Sequence, residues 1–598
     1  MSSIREMQVR GEGEARRRGI LSQPSIIPIL FLLLVLVTPS LCKGAAIDDA
    51  IRQQQQLQQQ EEQRRLELER KHREALDQPP AGKESPQQEP AEKQGRESCF
   101  EVRVITYSGM TLLEPKEIDP VTEKYRGRCL TFTDINNLVR DVTNLYIAKG
   151  YVTTRVVIPQ QDLSNGTLHL QVIEGKVEGI EFQDGQGTPR ELKGAMPGLT
   201  GGPLNLRDIE QGLDQLNRLP SNNASMKLLP GSTPGATKVE VENNRSKTWR
   251  ISAGMDNSGQ DSTGRNQYLF SLAKDNLIGC NDLLSLYLNG DAKGLFSDKR
   301  QRSSTWNLFY SVPYGYWTFS GSASYYEYRT EISGSGTTYS SAGDTTTTSL
   351  TVDRVLFRDQ DSKTSLGFGL TVRDTQNYFA GDKLNATSQV LSALSVSLAH
   401  YTRLLGGMAS AQAGFSQGVP ILGAKRDRTP SLDTPRSQFS KATFSASYYR
   451  PFNLGNTRFS WSTRASGQWA PHTLYSAERI SIGSRYTVRG FHEDSLSGDI
   501  GAYMRNELAL SAPVSADSTS FRRDWVGDLQ FYAGYDAGVI RRDPKEAEEQ
   551  GSLQGAVIGV RTSGARLVMD MAVAHPLAAP SFLQTDDLEF YTSLQFSF

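Results

Sequence analysis

The last part of the chain alternates between apolar and polar side chains, and this pattern limits its possible folds more than any other feature. From about residue 248 to residue 598, Gly, Ser, Thr and Tyr alternate with apolar residues, and no helical period appears. Segments of about ten residues, apolar on one face and polar on the other, are typical of a transmembrane β-barrel. A soluble β-sandwich or propeller is the alternative. With roughly 22 residues for each strand and its connection, the region predicts about 16 antiparallel strands.

The final segment shows this alternation most clearly. One face carries Leu588, Phe590, Thr592, Leu594, Phe596 and Phe598, and the other face carries Glu589, Ser593, Gln595 and Ser597. We expect the first face to meet lipid and the second face to meet water inside the barrel.

Residues 1–46 are predicted to be a secretory signal peptide. Arginines precede an apolar run at residues 26–37, and the small residues Gly44-Ala45-Ala46 follow it. The run is about a dozen residues long, whereas a spanning helix needs roughly 20, so a retained anchor is the alternative. No later segment is predicted to be a transmembrane helix. A membrane location would then require a β-barrel, because only helices and closed barrels satisfy every backbone group in lipid.

Residues 47–75 are rich in Gln, Glu and Arg and are predicted to form a helix. This helix has no apolar stripe, so it has no core of its own to bury. It is either a fraying spacer or a helix suited to water-filled, polar surroundings. Residues 76–98 contain four prolines among charged residues and are predicted to be a flexible linker.

Two small α/β units are predicted between the linker and the barrel, at residues 99–175 and 176–247. Each reads as strand, helix, strand, strand, which indicates a tandem repeat. In the first unit, residues 100–106 and 151–158 are predicted strands, and Thr133 is predicted to cap a helix that Gly150 ends. In the second unit, Asn205 is predicted to cap a helix, with room for another short helix near residues 191–196.

Four cysteines are present, at positions 42, 99, 129 and 280. Because an exported chain enters an oxidising compartment, we expect a disulfide between Cys99 and Cys129, which flank the first folded segment. Two unpaired thiols are the alternative. Cys42 lies in the predicted cleavage region, and Cys280 is predicted to be a packing residue.

Two glycine-flanked charges of opposite sign lie within the barrel region. Arg489 belongs to the segment Val488-Arg489-Gly490-Phe491, and Asp536 lies between Gly534 and Gly538. Glycine on either side of a charge indicates a backbone that approaches another group closely. We expect Arg489 and Asp536 to meet, since a guanidinium and a carboxylate form a directional ion pair. The alternative is two unrelated charges in separate loops.

These segments carry a family resemblance. The chain resembles the transporter half of two-partner secretion systems of the haemolysin-secretion type, which share a superfamily with the barrel-assembly insertases. The Val-Arg-Gly-Phe segment and the Gly-x-Asp-x-Gly segment are the most specific matches. Further matching stretches lie at 150–155, 158–163, 172–178, 256–259 and 276–282.

The resemblance implies an outer-membrane barrel of 16 strands, preceded by two periplasmic POTRA domains and an N-terminal plug helix. It implies that residues 488–491 lie at the tip of a loop that folds back into the lumen. There Arg489 would contact Asp536 on the wall, an arrangement that we call the latch: Val488, Arg489, Gly490, Phe491, Gly534, Asp536 and Gly538. Substrate recognition is expected in the POTRA units, where our candidates are Tyr151, Val152, Thr153, Thr154 and Arg155.

Other classes of function are less well supported by the sequence. The formal net charge of −1 argues against nucleic acid as a partner. Residues 414–418 match the Gly-x-Ser-x-Gly nucleophile motif, but no helical period follows, so we expect no enzyme activity. The six histidines show no metal-ligand spacing, and no cofactor is expected.

The sequence therefore predicts a pore that exports a large, unfolded partner exoprotein, such as a haemolysin, an adhesin or a contact-dependent toxin. The expected partners are that exoprotein, outer-membrane lipid and the barrel-assembly machinery, which would read the C-terminal strand ending in Phe598. A barrel-assembly insertase is the alternative function. A diffusion porin with a soluble appendage is a third, although the two α/β units argue against it.

Overall fold

The computed structural model describes residues 51, 54, 99–293, 301–334, 337–427, 434–514, 519–541, 550–563 and 566–598. The predicted signal peptide with Cys42, the predicted linker, and the predicted plug helix apart from Ile51 and Gln54 lie outside these residues. Within the described part of the chain, no helix is both long and apolar enough to cross a bilayer.

The first α/β unit contains five strands and two helices. In chain order they are β1 Phe100–Val102, β2 Val104–Ser108, α1 Pro115–Thr122, β3 Arg128–Leu130, α2 Phe132–Ala148, β4 Arg155–Val157 and β5 Thr167–Ile173. The main sheet has the order β2-β5-β4, with β2 parallel and β4 antiparallel to β5, and β1 pairs with β3 in a separate ribbon. Helix α2 packs on the main sheet through Ile135, Leu138, Val142 and Tyr146.

Helix α2 begins earlier than the sequence indicated, because Thr131 and not Thr133 caps it. The Thr131 hydroxyl accepts a hydrogen bond from the backbone N–H of Asp134 at 3.1 Å. The Asp134 carboxylate accepts one from the backbone N–H of Thr131 at 2.9 Å, which completes a capping box. This backbone hydrogen bond, followed by the Thr131 hydroxyl, holds the pKa of Asp134 below its usual value.

The second α/β unit repeats the arrangement. It contains β6 Lys176–Phe182, a 3-10 turn at Gln183–Gly185, α3 Pro189–Ala195, α4 Leu206–Asn217, β7 Ala224–Pro230 and β8 Ala236–Asn243. Its sheet has the order β6-β8-β7, with β6 and β8 parallel. Asn205 caps α4 by accepting the backbone N–H of Arg207 at 2.9 Å, and α3 occupies the place expected for an extra short helix.

A closed antiparallel barrel of 16 main strands follows, as the alternation predicted. The main strands are β9 Trp249–Asp256, β10 Gln267–Asp275, β11 Leu283–Asp291, β12 Arg302–Tyr314, β13 Trp317–Gly334, β14 Thr337–Arg358, β15 Ser362–Phe379, β17 Gln389–Leu404, β18 Gly407–Gly418, β19 Ser440–Leu454, β20 Thr457–Trp469, β23 Gly501–Ala512, β24 Asp528–Ile540, β25 Gly551–Ser563, β26 Leu567–Ala578 and β27 Glu589–Ser597. The two-residue strand β16, Asp382–Lys383, pairs only with the end of β15, and β27 pairs with β9 to close the barrel.

The two faces of the barrel strands differ as the sequence predicted. On β27, Phe590 is exposed on the outer surface, whereas Glu589 and Tyr591 are buried on the lumen side. Lumen-facing positions are rich in hydroxyl groups, and these bond across neighbouring strands. Ser410 and Ser447, for example, lie opposite each other in the ladder, with 2.7 Å between their Oγ atoms. The lumen is therefore hydrophilic.

The second α/β unit docks on three consecutive turns at one end of the barrel. The buried side chain of Arg218 donates from Nη2 to the carbonyl of Asn281 at 2.6 Å and from Nη1 to the Ser311 hydroxyl at 2.5 Å. The Gln215 amide donates to the carbonyl of Gly315 at 2.7 Å, and Arg358 forms an ion pair with Asp214. A buried guanidinium that makes several directed hydrogen bonds fixes orientation as well as contact.

The turn at 276–282, one of the stretches behind the family resemblance, has a structural role in this docking. The Asp282 carboxylate accepts backbone N–H groups of Leu277 and Ile278 at 3.1 Å each, which shapes the turn between β10 and β11. The side chain of Asn281 then donates to the carbonyl of Glu191 in the second α/β unit at 2.9 Å.

Candidate functional site

Residues 470–500, which join β20 to β23, fold back into the barrel; we call them the inner loop. They contain a 3-10 turn at Ser476–Glu478 and a small hairpin of β21 Ile480–Ile482 with β22 Leu496–Gly498. The inner loop contacts lumen-facing side chains of β15, β19, β24 and β27, which is possible only from inside the barrel.

Apolar contacts fix the tip of the inner loop against the wall. Val488 and Phe491 are buried in one cluster with Ile482 of the loop and with Ile540 and Leu553 of the barrel. Burial of such side chains stabilises the folded-back position by about 1.5–3 kcal/mol each. The loop is therefore part of the packed interior of the barrel.

Arg489 and Asp536 meet in the lumen in a paired geometry. Arg489 Nε donates to Asp536 Oδ2 at 2.6 Å, and Nη2 donates to Oδ1 at 2.8 Å. The backbone N–H of Arg489 also donates to Oδ2 at 3.2 Å. Arg489 is 3% exposed and Asp536 is 0% exposed, so water competes little for either group. A two-pronged, buried pair of this kind sets direction as well as attraction.

A second carboxylate, which sequence reasoning missed, also binds Arg489. Glu507 on β23 accepts from Arg489 Nη1 at 2.5 Å through Oε1 and from Arg561 Nη1 at 3.0 Å through Oε2. Arg505, two residues before Glu507, donates to the carbonyls of Arg485 and Tyr486 in the inner loop at 3.1 and 3.0 Å. The signal was present in the sequence, because charges at alternate positions of a barrel strand must share its lumen face.

Tyr591 is another contact of the loop tip that sequence reasoning did not single out. Its hydroxyl accepts the backbone N–H of Gly490 at 3.1 Å and donates to the carbonyl of Phe491 at 3.2 Å. It lies on the lumen face of β27, between the polar residues of that face. The other residues of this face are polar. The aromatic residue at position 591 departs from that pattern, so the sequence alone could have singled out Tyr591.

Glycines make room for the tip. Gly490 has φ of +100°, a conformation that other residues rarely adopt, and a Cβ there would lie 3.0 Å from the backbone of His575. A Cβ at Gly555 on β25 would lie 1.9 Å from the Arg489 carbonyl. Gly534 and Gly538 flank Asp536, and a Cβ at either would come within 2.9 Å of Arg489 or Val488. The structure thus brings all seven residues of the latch together.

A cavity of about 1230 Å³, with many charged and hydroxyl-bearing residues in its lining, extends along the lumen below the latch. Its lining runs from Arg218 and Pro220 of the second α/β unit to Arg489 and Glu507. Charged and hydroxyl groups lining a water-filled passage suit a hydrated, extended polypeptide better than a folded apolar ligand. The passage and the latch form one site.

Catalytic and metal sites do not emerge from the described part of the chain. Ser416, the centre of the nucleophile-like motif, lies within the regular strand β18 and pairs with Lys441 on β19. A nucleophile elbow requires a sharp turn from strand to helix, which is a different geometry. No group of three or more potential metal ligands is found among the described residues.

The substrate-recognition candidates at 151–155 lie at the junction of the two α/β units. The ring of Tyr151 packs on Tyr146, and Val152 packs against the core of the second unit. Thr153 contacts Gly175 closely, and the Thr154 hydroxyl accepts the N–H of Gly175 at 3.3 Å. Of the five candidates, only Arg155 is exposed, at the start of β4.

The structure joins Cys99 and Cys129 in a disulfide, which ties the start of β1 to β3. Their Cα atoms are 5.3 Å apart, within the usual range for such a bridge. Cys280 has a free thiol and is half-buried in the turn at 276–282.

One residue of the predicted plug helix makes a described contact with the barrel. Gln54 is buried and donates from Nε2 to the Ser341 hydroxyl at 2.8 Å and to the Tyr378 carbonyl at 3.4 Å. Ser341 and Tyr378 belong to β14 and β15, near the barrel end away from the α/β units. Gln54 therefore lies against the upper part of the barrel wall.

Comparison with known proteins points to one family. Residues 235–562 match the haemolysin secretion/activation protein family ShlB/FhaC/HecB, residues 100–175 match the ShlB-type POTRA domain, and residues 176–230 match a second POTRA family. The outer membrane transporter CdiB of Dickeya dadantii is 35% identical over 524 residues, which is 87% of this chain and 90% of that protein.

Two further relatives agree with this match. The haemolysin transporter ShlB of Serratia marcescens is 35% identical over 424 residues, covering 71% of this chain and 74% of that protein. The structure of CdiB from Escherichia coli superposes with a TM-score of 0.81 at 33% identity, covering 90% of this chain and 98% of that chain.

Proposed function

Since the chain belongs to the family of haemolysin secretion/activation proteins ShlB/FhaC/HecB, and is thus an outer-membrane transporter of two-partner secretion with its POTRA domains in the periplasm, we propose that it exports one large, unfolded exoprotein through the barrel lumen. The relatives are named as transporters of haemolysin and as CdiB, so a haemolysin, an adhesin or a contact-dependent toxin is the class of cargo we propose.

The observation that carries this proposal is the cavity inside the barrel, which many charged residues line. It extends from Arg218 in the second POTRA unit to the latch, so the lumen and the periplasmic domains are continuous. The periplasm offers no nucleotide whose hydrolysis could drive export. The lumen offers groups that bind a polypeptide, and transport in this proposal needs no covalent step. We propose that folding of the exoprotein outside the cell, together with binding steps, drives its export.

The first POTRA unit offers an edge for the incoming chain. Strand β4 lies at one side of the sheet, beside β5, and Arg155, Val157 and the following Ile158 are exposed there. An extended polypeptide can add to such an edge through main-chain hydrogen bonds, with side chains giving specificity. We assign this edge as a receiving site and reduce the recognition candidates to Arg155, because 151–154 pack inside.

A photo-crosslinking amino acid at position 155 tests both the cargo and the receiving site. We expect it to capture, in living cells, one large exoprotein, because an extended segment of that exoprotein would lie against β4. The same amino acid at Asn165, exposed at the other end of β5, should capture far less. Capture of several outer-membrane barrel precursors instead would favour the insertase function and contradict the proposal.

The latch and the plug helix are proposed to keep the resting lumen closed. Arg489 and Asp536 hold the inner loop in the lumen. Gln54 belongs to the predicted plug helix and contacts the barrel wall, so this helix would occupy the same passage. A helix that is polar on all sides suits a water-filled lumen, where an apolar stripe would be a liability. The linker of about 23 residues would let the helix leave when the exoprotein arrives.

The C-terminal strand is proposed to be the segment that the barrel-assembly machinery recognises. Phe598 is exposed, and its backbone N–H donates to the Ile251 carbonyl of β9 at 2.9 Å, next to the barrel closure. We expect Phe598→Ser to lower the amount of folded barrel in the outer membrane severalfold, measured by heat-modifiable migration on gels. The matched change Phe582→Ser, outside the terminal strand, should have little effect. Equal amounts of folded barrel in both variants would contradict this role.

A further inference from the structure

The root of the inner loop, at Ser476–Glu478, has its own ionic attachment, formed with other strands than the latch. Glu478, in the 3-10 turn, accepts from Arg373 Nη1 on β15 at 2.7 Å and from Lys441 Nζ on β19 at 2.6 Å. All three side chains are largely buried, with exposures of 5% for Arg373, 16% for Lys441 and 11% for Glu478. One carboxylate thus joins the loop to two strands that are not neighbours in the sheet.

Backbone groups strengthen the attachment. Arg373 Nη1 also donates to the carbonyl of Ala477 at 2.9 Å. The carbonyl of Glu478 accepts from the side-chain amide of Gln468 on β20 at 2.9 Å. The turn that carries Glu478 is therefore fixed in position as well as neutralised in charge.

The lumen wall has two sides of different charge, and the inner loop emerges between them. On β15 and β17–β20, the lumen-facing charges in the described residues are all basic: Lys363, Arg373, Arg403, Lys441, Arg458 and Arg464. On β23–β27, acidic groups outnumber basic ones, with Glu507, Asp528, Asp536, Asp570 and Glu589 against Arg505 and Arg561.

The two charged groups that attach the loop to the barrel strands, Glu478 and Arg489, each turn to the side of opposite charge. The loop leaves the wall at β20 and returns at β23, where the basic side ends and the acidic side begins. Glu478 turns to the basic side, and Arg489 turns to the acidic side. Opposite orientation would place each charge beside like charges in a poorly solvated space, which is costly.

We propose that Glu478 is a second positioning residue of the pore, which holds the root of the inner loop on the basic side and closes the extracellular half of the lumen there. This inference rests on the proposed role of the inner loop in closing the lumen. Its site is separate from the latch, because Arg373 and Lys441 lie near the extracellular ends of their strands and contact neither Arg489 nor Asp536 in the described hydrogen bonds.

Loss of the carboxylate should release the root. In Glu478→Gln, Arg373 and Lys441 would remain as two buried like charges beside a neutral amide. Such charges repel each other and favour hydration, so water should enter where the turn is now packed. The latch would still hold the tip, and the loop would open on one side only.

Ion conductance of the purified full-length protein in planar bilayers tests the inference without any exoprotein. We expect Glu478→Gln to raise the resting conductance severalfold, and Glu478→Asp to raise it less because a carboxylate remains. Adding Lys441→Gln to Glu478→Gln should restore part of the closure by removing one unpaired charge. Asp374→Asn, beside Arg373 but on the other face of β15, is the matched control and should leave conductance unchanged.

A second readout separates positioning from general stability. A cysteine at Ala477, which is 7% exposed, should react slowly with a membrane-impermeant maleimide and much faster in the Glu478→Gln background. Unchanged conductance and unchanged labelling in a folded Glu478→Gln barrel would overturn the inference. If that variant does not fold, Lys441→Gln alone provides the test, with a smaller rise expected and no rise overturning it.

Independence from the latch is also measurable. Combined with Asp536→Asn, the Glu478→Gln change should multiply the conductance increase of the single variant, because the two contacts lie on different strands. An increase no larger than that of Asp536→Asn alone would overturn the claim that Glu478 acts separately. If the chain secretes nothing but shows these conductance changes, the transport proposal fails while the role of Glu478 stands.

Discussion

Arg489→Ala is expected to reduce secretion to a small fraction of the normal level. The change leaves Asp536, which is completely buried, without its guanidinium partner and removes one of the three cations that pair with Glu507. An unpaired buried charge of this kind costs about 3–5 kcal/mol, enough to free the inner loop from its position. The exoprotein released into the medium, normalised to the amount of folded barrel, measures the effect.

The structure also predicts the outcome of exchanging the two charges. In the variant Arg489→Asp with Asp536→Arg, the new aspartate would face Glu507, and the new arginine would lie opposite Arg505 in the ladder. We therefore expect the exchange not to restore secretion, because the surroundings of each position favour the native charge. Full rescue would show that the pair acts alone and that Glu507 and Arg505 contribute little.

Two controls make the latch experiment specific. Asp536→Glu keeps the charge and should retain more secretion than Asp536→Asn, which keeps the size. Ser416→Ala, on the lumen face of β18, should secrete normally, since this serine has no catalytic role in the proposed mechanism. Normal secretion by Arg489→Ala would contradict the role of the latch in transport.

A reductant-cleavable crosslink between position 54 and position 341 is expected to block secretion almost completely. Gln54 Nε2 lies 2.8 Å from the Ser341 hydroxyl, so a short bis-methanethiosulfonate reagent, which spans the length lost when glutamine becomes cysteine, should join cysteines at these two positions. A joined helix could not leave the lumen, and the exoprotein would have no passage. Adding a reductant should restore secretion in the same cells.

The locking experiment needs a background without other free thiols in the folded chain. Cys280→Ala removes the free thiol of the described residues, whereas Cys99 and Cys129 remain paired with each other. The single variants Gln54→Cys and Ser341→Cys should secrete normally with and without the crosslinking reagent. Unimpaired secretion with the crosslink complete on gels would show that the helix need not leave.

Residue periodicity was enough to predict the architecture, since a period of two across the barrel and a helical period in the α/β units each reflect one buried face. Element ends were less predictable. The segment 100–106 is divided at Arg103, where the backbone N–H groups of Arg103 and Val104 both turn to the Gly166 carbonyl. The predicted strand at 151–158 is reduced to Arg155–Val157, because Thr154 bonds to Gly175 at the junction with the second unit.

The candidate site was predictable in part for a physical reason. Arg489 and Asp536 were visible because the glycines beside them mark a close approach of two backbones. Glu507, Arg505, Tyr591 and Glu478 carry no such local mark, and their roles depend on which strands face each other across the lumen. That relation is set by the closure of the barrel, which links residues more than a hundred positions apart, as with Arg373 and Glu478.

The docking of the second POTRA unit makes the periplasmic entrance one-sided. Its hydrogen bonds and ion pair reach the turns that follow β10, β12 and β14, through Arg218, Gln215 and Asp214. Together with the docked POTRA unit, these turns form a fixed surface, or floor, at one part of the periplasmic end of the barrel. The cavity beside this floor is lined by residues of β9–β11, β19, β20 and β23–β27, and it reaches Arg489. In the proposed export, a chain that enters beside the docked POTRA unit would therefore meet the latch along the same cavity.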